Sequence, residues 1–252
     1  MKLLTLARDL RRRRARERQG LFVAEGVRAV AELLQSPLTV RGVLVAPQLA
    51  DAPRGSALLD TARRIGVQLA EVDEREFAGA AETDSPQGVL AIGEIPDRRL
   101  DTLELSGQAR LVVLDALQDP GNVGTILRTA AALGAAAVVA MPGTVDLWNA
   151  KVVRSAMGAI FHRPAFMSTW AELDTFLVRH AVEVWGADAD GTPLERLRAP
   201  DRLALLVGNE GAGLTAEGRA RAGQTVSLPI SSTVESLNVA VATGIFLYQL
   251  RP

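Results

Sequence analysis

The chain has 252 residues, 48% of them hydrophobic, so it can bury a core and is not a disordered segment. Its 28 Lys and Arg against 29 Asp and Glu give a formal net charge of −1, which excludes a polycation that holds nucleic acid by bulk charge alone. The absence of cysteine excludes disulfides, thiolate zinc sites and thiol nucleophiles and suits a cytoplasmic protein, and no apolar run approaches the roughly 18 residues of a membrane span.

Charge is distributed unevenly. Lys2, Arg8, Arg11, Arg12, Arg13, Arg14, Arg16 and Arg18 face only Asp9 and Glu17 over the first eighteen positions. Such a segment is the footprint of phosphate contact, or else a solvated helix face. It lacks the apolar stretch that would make it a secretory signal. Residues 1–18 are mostly helix formers and predict one basic helix, stopped by Gly20. A short strand over Leu21–Ala24, a helix over Gly26–Gln35 and a buried strand over Gly42–Ala46 follow. Next come a helix over Ala57–Ile65 and strands over Val67–Val72 and Gly88–Ile92. This alternation predicts a small α/β domain over residues 1–95.

Residues 96–108 are polar, with Asp97, Arg98, Arg99, Asp101 and Glu104, and are read as a linker. The alternation then restarts as a second domain over residues 109–252. Its expected strands are Leu111–Leu114, Ala136–Met141, Val182–Ala187, Leu203–Val207 and Thr225–Leu228. Its expected helices are Val123–Leu133, Asn149–Met157, Ala171–Ala181 and Ser236–Leu250. Near-continuous apolar strands between helices indicate a mostly parallel sheet covered on both faces.

Three clusters in this second domain follow apolar strands, where open α/β sheets place their ligands. The first runs from Gln118 to Gly124. Asn122 stands near a helix start, where its amide can cap the helix or hold a ligand. Arg128 comes about 1.5 turns later in an otherwise apolar stretch, a charge that needs a partner or a task. A helix cap and a structural salt bridge would explain the same residues. The second, Gly208-Asn209-Glu210-Gly211-Ala212-Gly213, has three glycines in six positions, which lets backbone approach a ligand closely. Its spacing is not that of a dinucleotide loop, and Glu210 would repel a pyrophosphate but tolerate a cation. The alternative is a plain turn with an exposed Glu. In the third, Leu228-Pro229-Ile230 leads into the hydroxyls of Ser231, Ser232, Thr233 and Ser236, then Leu237 and Asn238. These groups suit hydrogen bonds to an adenine or a ribose, or equally a capped helix start. His162 and His180 have no metal-ligand spacing, and no metal is expected.

Taken in order, Asn122-x-Gly124-x-x-x-Arg128, Gly208-Asn209-Glu210-Gly211-x-Gly213, and Leu228-Pro229-Ile230 with Ser236-Leu237-Asn238-Val239-Ala240 resemble the three motifs of the SpoU–TrmH family of RNA 2′-O-methyltransferases. More loosely, Glu25-Gly26 and Gln87-Gly88 make the first domain similar to the RNA-binding domain of ribosomal-RNA members. The resemblance implies a SPOUT fold whose C-terminal segment threads a trefoil knot, a topology that no periodicity would suggest. It implies S-adenosylmethionine as cofactor, a homodimer, and an RNA substrate. Ribosomal RNA of the large subunit is favoured, with transfer RNA or a non-catalytic RNA-binding dimer as alternatives. By the family pattern Gly208, Leu228, Ile230 and Leu237 contact the cofactor, and Asn122, Arg128, Glu210, Ser236 and Asn238 form the catalytic group. RNA contact is expected on Arg11, Arg12, Arg13 and Arg14. A nicotinamide-dependent oxidoreductase would need a glycine spacing the chain lacks.

Overall fold

The structure is a computed structural model that describes residues 3–231 and 233–251. Lys2 of the basic run and Ser232 of the hydroxyl run lie outside the described residues. The chain divides into two compact units, one of Met1–Asp97 with Trp148–His162, the other of Arg98–Leu147 with Arg163–Pro252.

The first unit holds a four-stranded sheet of β1 (Leu21–Glu25), β2 (Val40–Val45), β3 (Leu69–Glu71) and β4 (Val89–Glu94), in the order β1-β4-β2-β3. β4 runs antiparallel to both its neighbours, and β2 and β3 are parallel. Leu44, Leu90 and Ile92 from the sheet are buried with Leu6, Leu10 and Phe77 in one core. The helix Ala150–Ser155 and the short turn Ala159–His162 pack in this unit although the sequence sets them among the elements of the second domain. The cause is aromatic burial. Phe22 of β1 is fully buried, with ring centroids 4.5 Å from Trp148 and 5.6 Å from Phe161.

The single basic helix expected at the N-terminus is two helices, Leu3–Leu10 and Arg13–Gln19. The break has a specific cause. Arg16 is 3% exposed, and its guanidinium donates to the carbonyls of Leu10 (2.8 Å) and Arg11 (2.9 Å), which the end of the first helix leaves without partners. A helix that continued through Arg12 would need those carbonyls for itself.

The second unit holds a six-stranded, wholly parallel sheet. Its strands are β5 (Ala109–Leu114), β6 (Ala137–Ala140), β7 (Ala165–Met167), β8 (Glu183–Pro193), β9 (Arg202–Val207) and β10 (Gln224–Ser227), in the order β10-β8-β9-β5-β6-β7. All six residues of β5 are buried, as expected of a central parallel strand covered on both faces. Leu111, Val113, Val139, Leu206, Phe166 and Phe176 belong to its main core. The last helix, Val239–Leu250, packs on the helix Pro120–Ala132, with Gly244 facing Thr129. Among the described residues, no helix is long and apolar enough to cross a membrane.

Candidate active site

The C-terminal ends of β5 and β9 lie side by side, with Leu114 opposite Val207. The chain leaves β5 through Asp115 and Ala116 and enters the helix Pro120–Ala132. Asp119 caps that helix, its carboxylate accepting from the Asn122 N–H at 2.7 Å. Asn122 is therefore not the cap, and its side chain is free for another task. Its Nδ2 donates to Glu210 Oε1.

From β9 the chain turns through Gly208 into a closed loop. Asn209 and Gly213 exchange two backbone hydrogen bonds, of 2.9 and 2.7 Å. Inside that ring the Asn209 carboxamide oxygen accepts from the N–H groups of Gly211 (3.0 Å) and Ala212 (3.2 Å), while its Nδ2 donates to the Ala116 carbonyl at 3.3 Å. Gly213 needs its φ of +68°, and Gly208 needs its missing side chain. A Cβ on Gly208 would lie 2.3 Å from the Gly213 carbonyl and 2.5 Å from the Leu214 nitrogen. Glycine at 208 is thus demanded first by the loop's own backbone. The loop's exit is anchored by Asp115, which is fully buried and accepts from both the Thr215 N–H (2.7 Å) and its hydroxyl (3.0 Å).

The third cluster completes the site. Asn238 caps the last helix, its Oδ1 accepting from Ala240 (3.0 Å) and Val241 (3.3 Å). Its Nδ2 donates to Asn122 Oδ1 at 3.0 Å and, more weakly, to Glu210 Oε1 at 3.4 Å. Asn122, Glu210 and Asn238 therefore form one hydrogen-bonded triangle that ties two helix starts to the glycine loop. Ser236 and Arg128 are not in it. Both are exposed. Among the described residues no hydrogen bond or ion pair engages the Arg128 side chain, so the salt-bridge explanation of this charge finds no acid.

Beside the triangle is a cavity of about 370 Å³, within the ~300–1,000 Å³ range of small-molecule sites. Gly208, Leu228, Ile230, Leu237, Glu210 and Ser236 all line it. Among the described residues, three acids, Asp188, Glu210 and Glu235, line it against one cation, Arg219, a balance that suits a ligand with positive charge. Asp188 and Arg219 are paired at 2.8 Å. The sequence pattern assigns no role to Asn209, Asp115 or the Asp188–Arg219 pair. For Asp115 a signal exists, an acid directly after an apolar strand end. For Asp188 none does, because it falls beyond a strand expected to stop at Ala187.

The arginines at positions 11–14 lie in the first unit and are exposed. Arg12 pairs with Asp9, Arg13 with Glu17 at 2.7 Å, and Arg11 donates to the Gly79 carbonyl at 3.4 Å. Arg14 has no such partner among the described residues. No group of three or more His, Cys, Asp or Glu among the described residues is placed to hold a metal ion.

Residues 109–248 match the SpoU rRNA Methylase family, and residues 5–91 match the MRM3-like substrate binding domain. The chain is 36% identical over 245 residues to the 23S rRNA (guanosine(2553)-2′-O)-methyltransferase RlmP of Bacillus subtilis, a match that covers 97% of this chain and 94% of that one. It superposes on the AdoMet-bound rRNA methyltransferase from Sinorhizobium meliloti with a TM-score of 0.85 and 29% identity, over 99% of this chain and 94% of that one. With the SpoU methyltransferase AviRb from Streptomyces viridochromogenes, solved in complex with AdoMet, the TM-score is 0.89 at 27% identity, over 99% and 97% of the two chains.

Proposed function

The chain belongs to the SpoU rRNA methylase family, and on that premise we propose that it transfers the methyl group of S-adenosylmethionine to a ribose 2′-hydroxyl of 23S ribosomal RNA in the cytoplasm. The observation that carries this reading is the convergence of Asn122, Glu210 and Asn238 beside a cavity lined by Gly208, Leu228, Ile230 and Leu237. The cavity's excess of acids fits the sulfonium of the cofactor, and the close approach of the Gly208–Leu214 backbone leaves main-chain groups at its wall. When bound, the cofactor supplies an electrophilic methyl group.

The chain's own residues do the rest. The triangle of Asn122, Glu210 and Asn238 fixes the glycine loop against two helix starts, so that the cavity and the helix bearing Arg128 keep one relative geometry. That is positioning, and alignment of hydroxyl and methyl accounts for a large share of such rate enhancements. A ribose hydroxyl becomes a strong nucleophile only as it loses its proton. A guanidinium offers N–H donors and no acceptor, so Arg128 is not the base. Its unengaged N–H groups donate to the developing alkoxide and stabilise it. Its exposure leaves bulk water to take the proton. Ser236, at the cavity wall, donates its hydroxyl to the ribose or the cofactor.

RNA is held in part by the first unit, with Arg14 the arginine of the 11–14 run that has no partner to give up among the described residues. The active form is a homodimer. Val241, Ile245 and Tyr248 recur at helical spacing on the last helix and are 53%, 37% and 54% exposed, an apolar stripe that a second copy would cover. The C-terminal segment is threaded as a trefoil knot. The test of the reaction is methyl transfer by purified protein to 23S rRNA lacking the modification, followed by nucleoside analysis. A 2′-O-methylnucleoside supports the reading, and its absence with properly folded protein defeats it.

A further inference from the structure

The cavity has to receive a ligand that carries, besides its sulfonium, a free amino-acid end with one ammonium and one carboxylate. A carboxylate taken into a partly closed site needs a cation or several N–H donors. Arg219 is the one cation among the described residues that line the cavity. It is held in place by the protein. Its Nε donates to the Leu214 carbonyl at 3.2 Å, and its Nη1 donates to Asp188 Oδ2 at 2.8 Å. Those two bonds use two of the five guanidinium N–H groups and leave three unengaged among the described residues. Asp188 is the most sheltered of the three lining acids, with a side chain 19% exposed, whereas Glu210 and Glu235 are exposed and Glu210 is already engaged by the amides of Asn122 and Asn238. Among the described residues, the other oxygen of Asp188 accepts only from the N–H of Asp190, at 3.2 Å.

We propose that Arg219 and Asp188 form the subsite for the amino-acid end of the cofactor, Arg219 holding its carboxylate and Asp188 its ammonium. The proposal rests on S-adenosylmethionine as the ligand of this cavity. An oppositely charged pair is the complement of a zwitterion. Each member gains an opposite charge from the ligand while keeping the other, so neither charge is left uncompensated on binding. Leu214, which Arg219 also holds, closes the glycine loop, so filling this subsite and ordering the Gly208–Leu214 loop are coupled.

The test compares S-adenosylmethionine with decarboxylated S-adenosylmethionine, which lacks only the carboxylate, by competition binding. The wild-type protein is expected to prefer the intact cofactor by about tenfold or more, the usual size of a charge-assisted interaction. Arg219→Ala and Arg219→Gln should bring that ratio close to one, with the decarboxylated ligand nearly unaffected. Asp188→Asn should weaken both ligands, since both carry the ammonium. Arg219→Gln keeps an amide donor for the Leu214 carbonyl, so it guards against mere loss of the loop, and thermal melts check folding of each variant. Equal weakening of both ligands by the Arg219 variants would make Arg219 a loop brace only and overturn the subsite. A wild-type ratio near one would overturn it as well. Failure of the wild-type protein to bind either ligand would instead defeat the cofactor assignment itself.

Discussion

Replacing Gly208 by Ala adds one methyl group where the structure has no room for it. The new Cβ would stand 2.3 Å from the carbonyl carbon and oxygen of Gly213 and 2.5 Å from the Leu214 nitrogen. Those are backbone atoms, so a rotamer change cannot relieve the clash, and the loop itself has to open. Opening it strains or breaks the paired hydrogen bonds between Asn209 and Gly213. Overpacking of this kind costs about 1–3 kcal/mol. If the cost falls on the cofactor-binding form of the loop, S-adenosylmethionine affinity drops by about 5- to 150-fold, at 1.4 kcal/mol per factor of ten. The glycines of the loop lie at a strand end outside the main core, but Leu214, where the loop closes, belongs to that core, so part of the cost also appears as lost stability. At about 2–4 °C per kcal/mol for a protein of this size, the melting temperature without ligand falls by no more than ~12 °C. Calorimetric titration of folded Gly208→Ala with the cofactor, alongside thermal melts, measures both quantities. Wild-type affinity in the folded variant would refute the argument that this close backbone approach shapes the cavity.

Three further outcomes follow from the same geometry. Arg128→Ala should lower kcat by about 10²-fold or more, as loss of an alkoxide-stabilising donor does, and leave cofactor affinity unchanged. A loss of less than tenfold, under about 1.4 kcal/mol, would remove Arg128 from the reaction. Changing Arg11, Arg12, Arg13 and Arg14 together to Gln should flatten the salt dependence of RNA binding, by roughly 0.7 to 0.9 in slope for each phosphate no longer neutralised. Because Arg12 and Arg13 already pair with Asp9 and Glu17, the change should be smaller than four free arginines would give, and an unchanged slope in filter binding would assign the run to solvation alone. Tyr248→Glu should shift the light-scattering mass of the protein from dimer towards monomer, whereas a monomeric wild type would show that the exposed stripe on the last helix is not a dimer face.

The parallel sheet is legible in the sequence where strands are long and apolar throughout, as in Leu111–Leu114 and Leu203–Val207, because a doubly covered strand leaves no place for polar side chains. β7 escapes such a reading since it is three residues long and ends in the exposed Met167. For β8 the pattern stops at Ala187 because Asp188 and Asp190 interrupt its apolar run, yet the strand continues to Pro193. The helix Glu74–Ala78 carries a readable signal, the capping box of Asp73 and Glu76, although the expected elements do not include it. The motif residues can be named from the resemblance, but not their roles toward each other. Asn122 and Glu210 are 88 residues apart, and Asn238 lies 116 residues from Asn122, so their triangle exists only through the adjacency of strand ends. The basic run misleads in one respect. Counting charges cannot show that Arg16 is buried to end a helix, or that Arg12 and Arg13 are engaged by local acids.

Transfer of a methyl group to a ribose oxygen of 23S rRNA is tested most directly by following a label in that methyl group. Purified protein, methyl-labelled S-adenosylmethionine and 23S rRNA lacking the modification are incubated together, and the RNA is digested to nucleosides. Label is expected in a single 2′-O-methylnucleoside, approaching one methyl per RNA, with its rate of incorporation reduced about 10²-fold or more by Arg128→Ala. Label on a base, or none at all from protein that binds the cofactor, would contradict it.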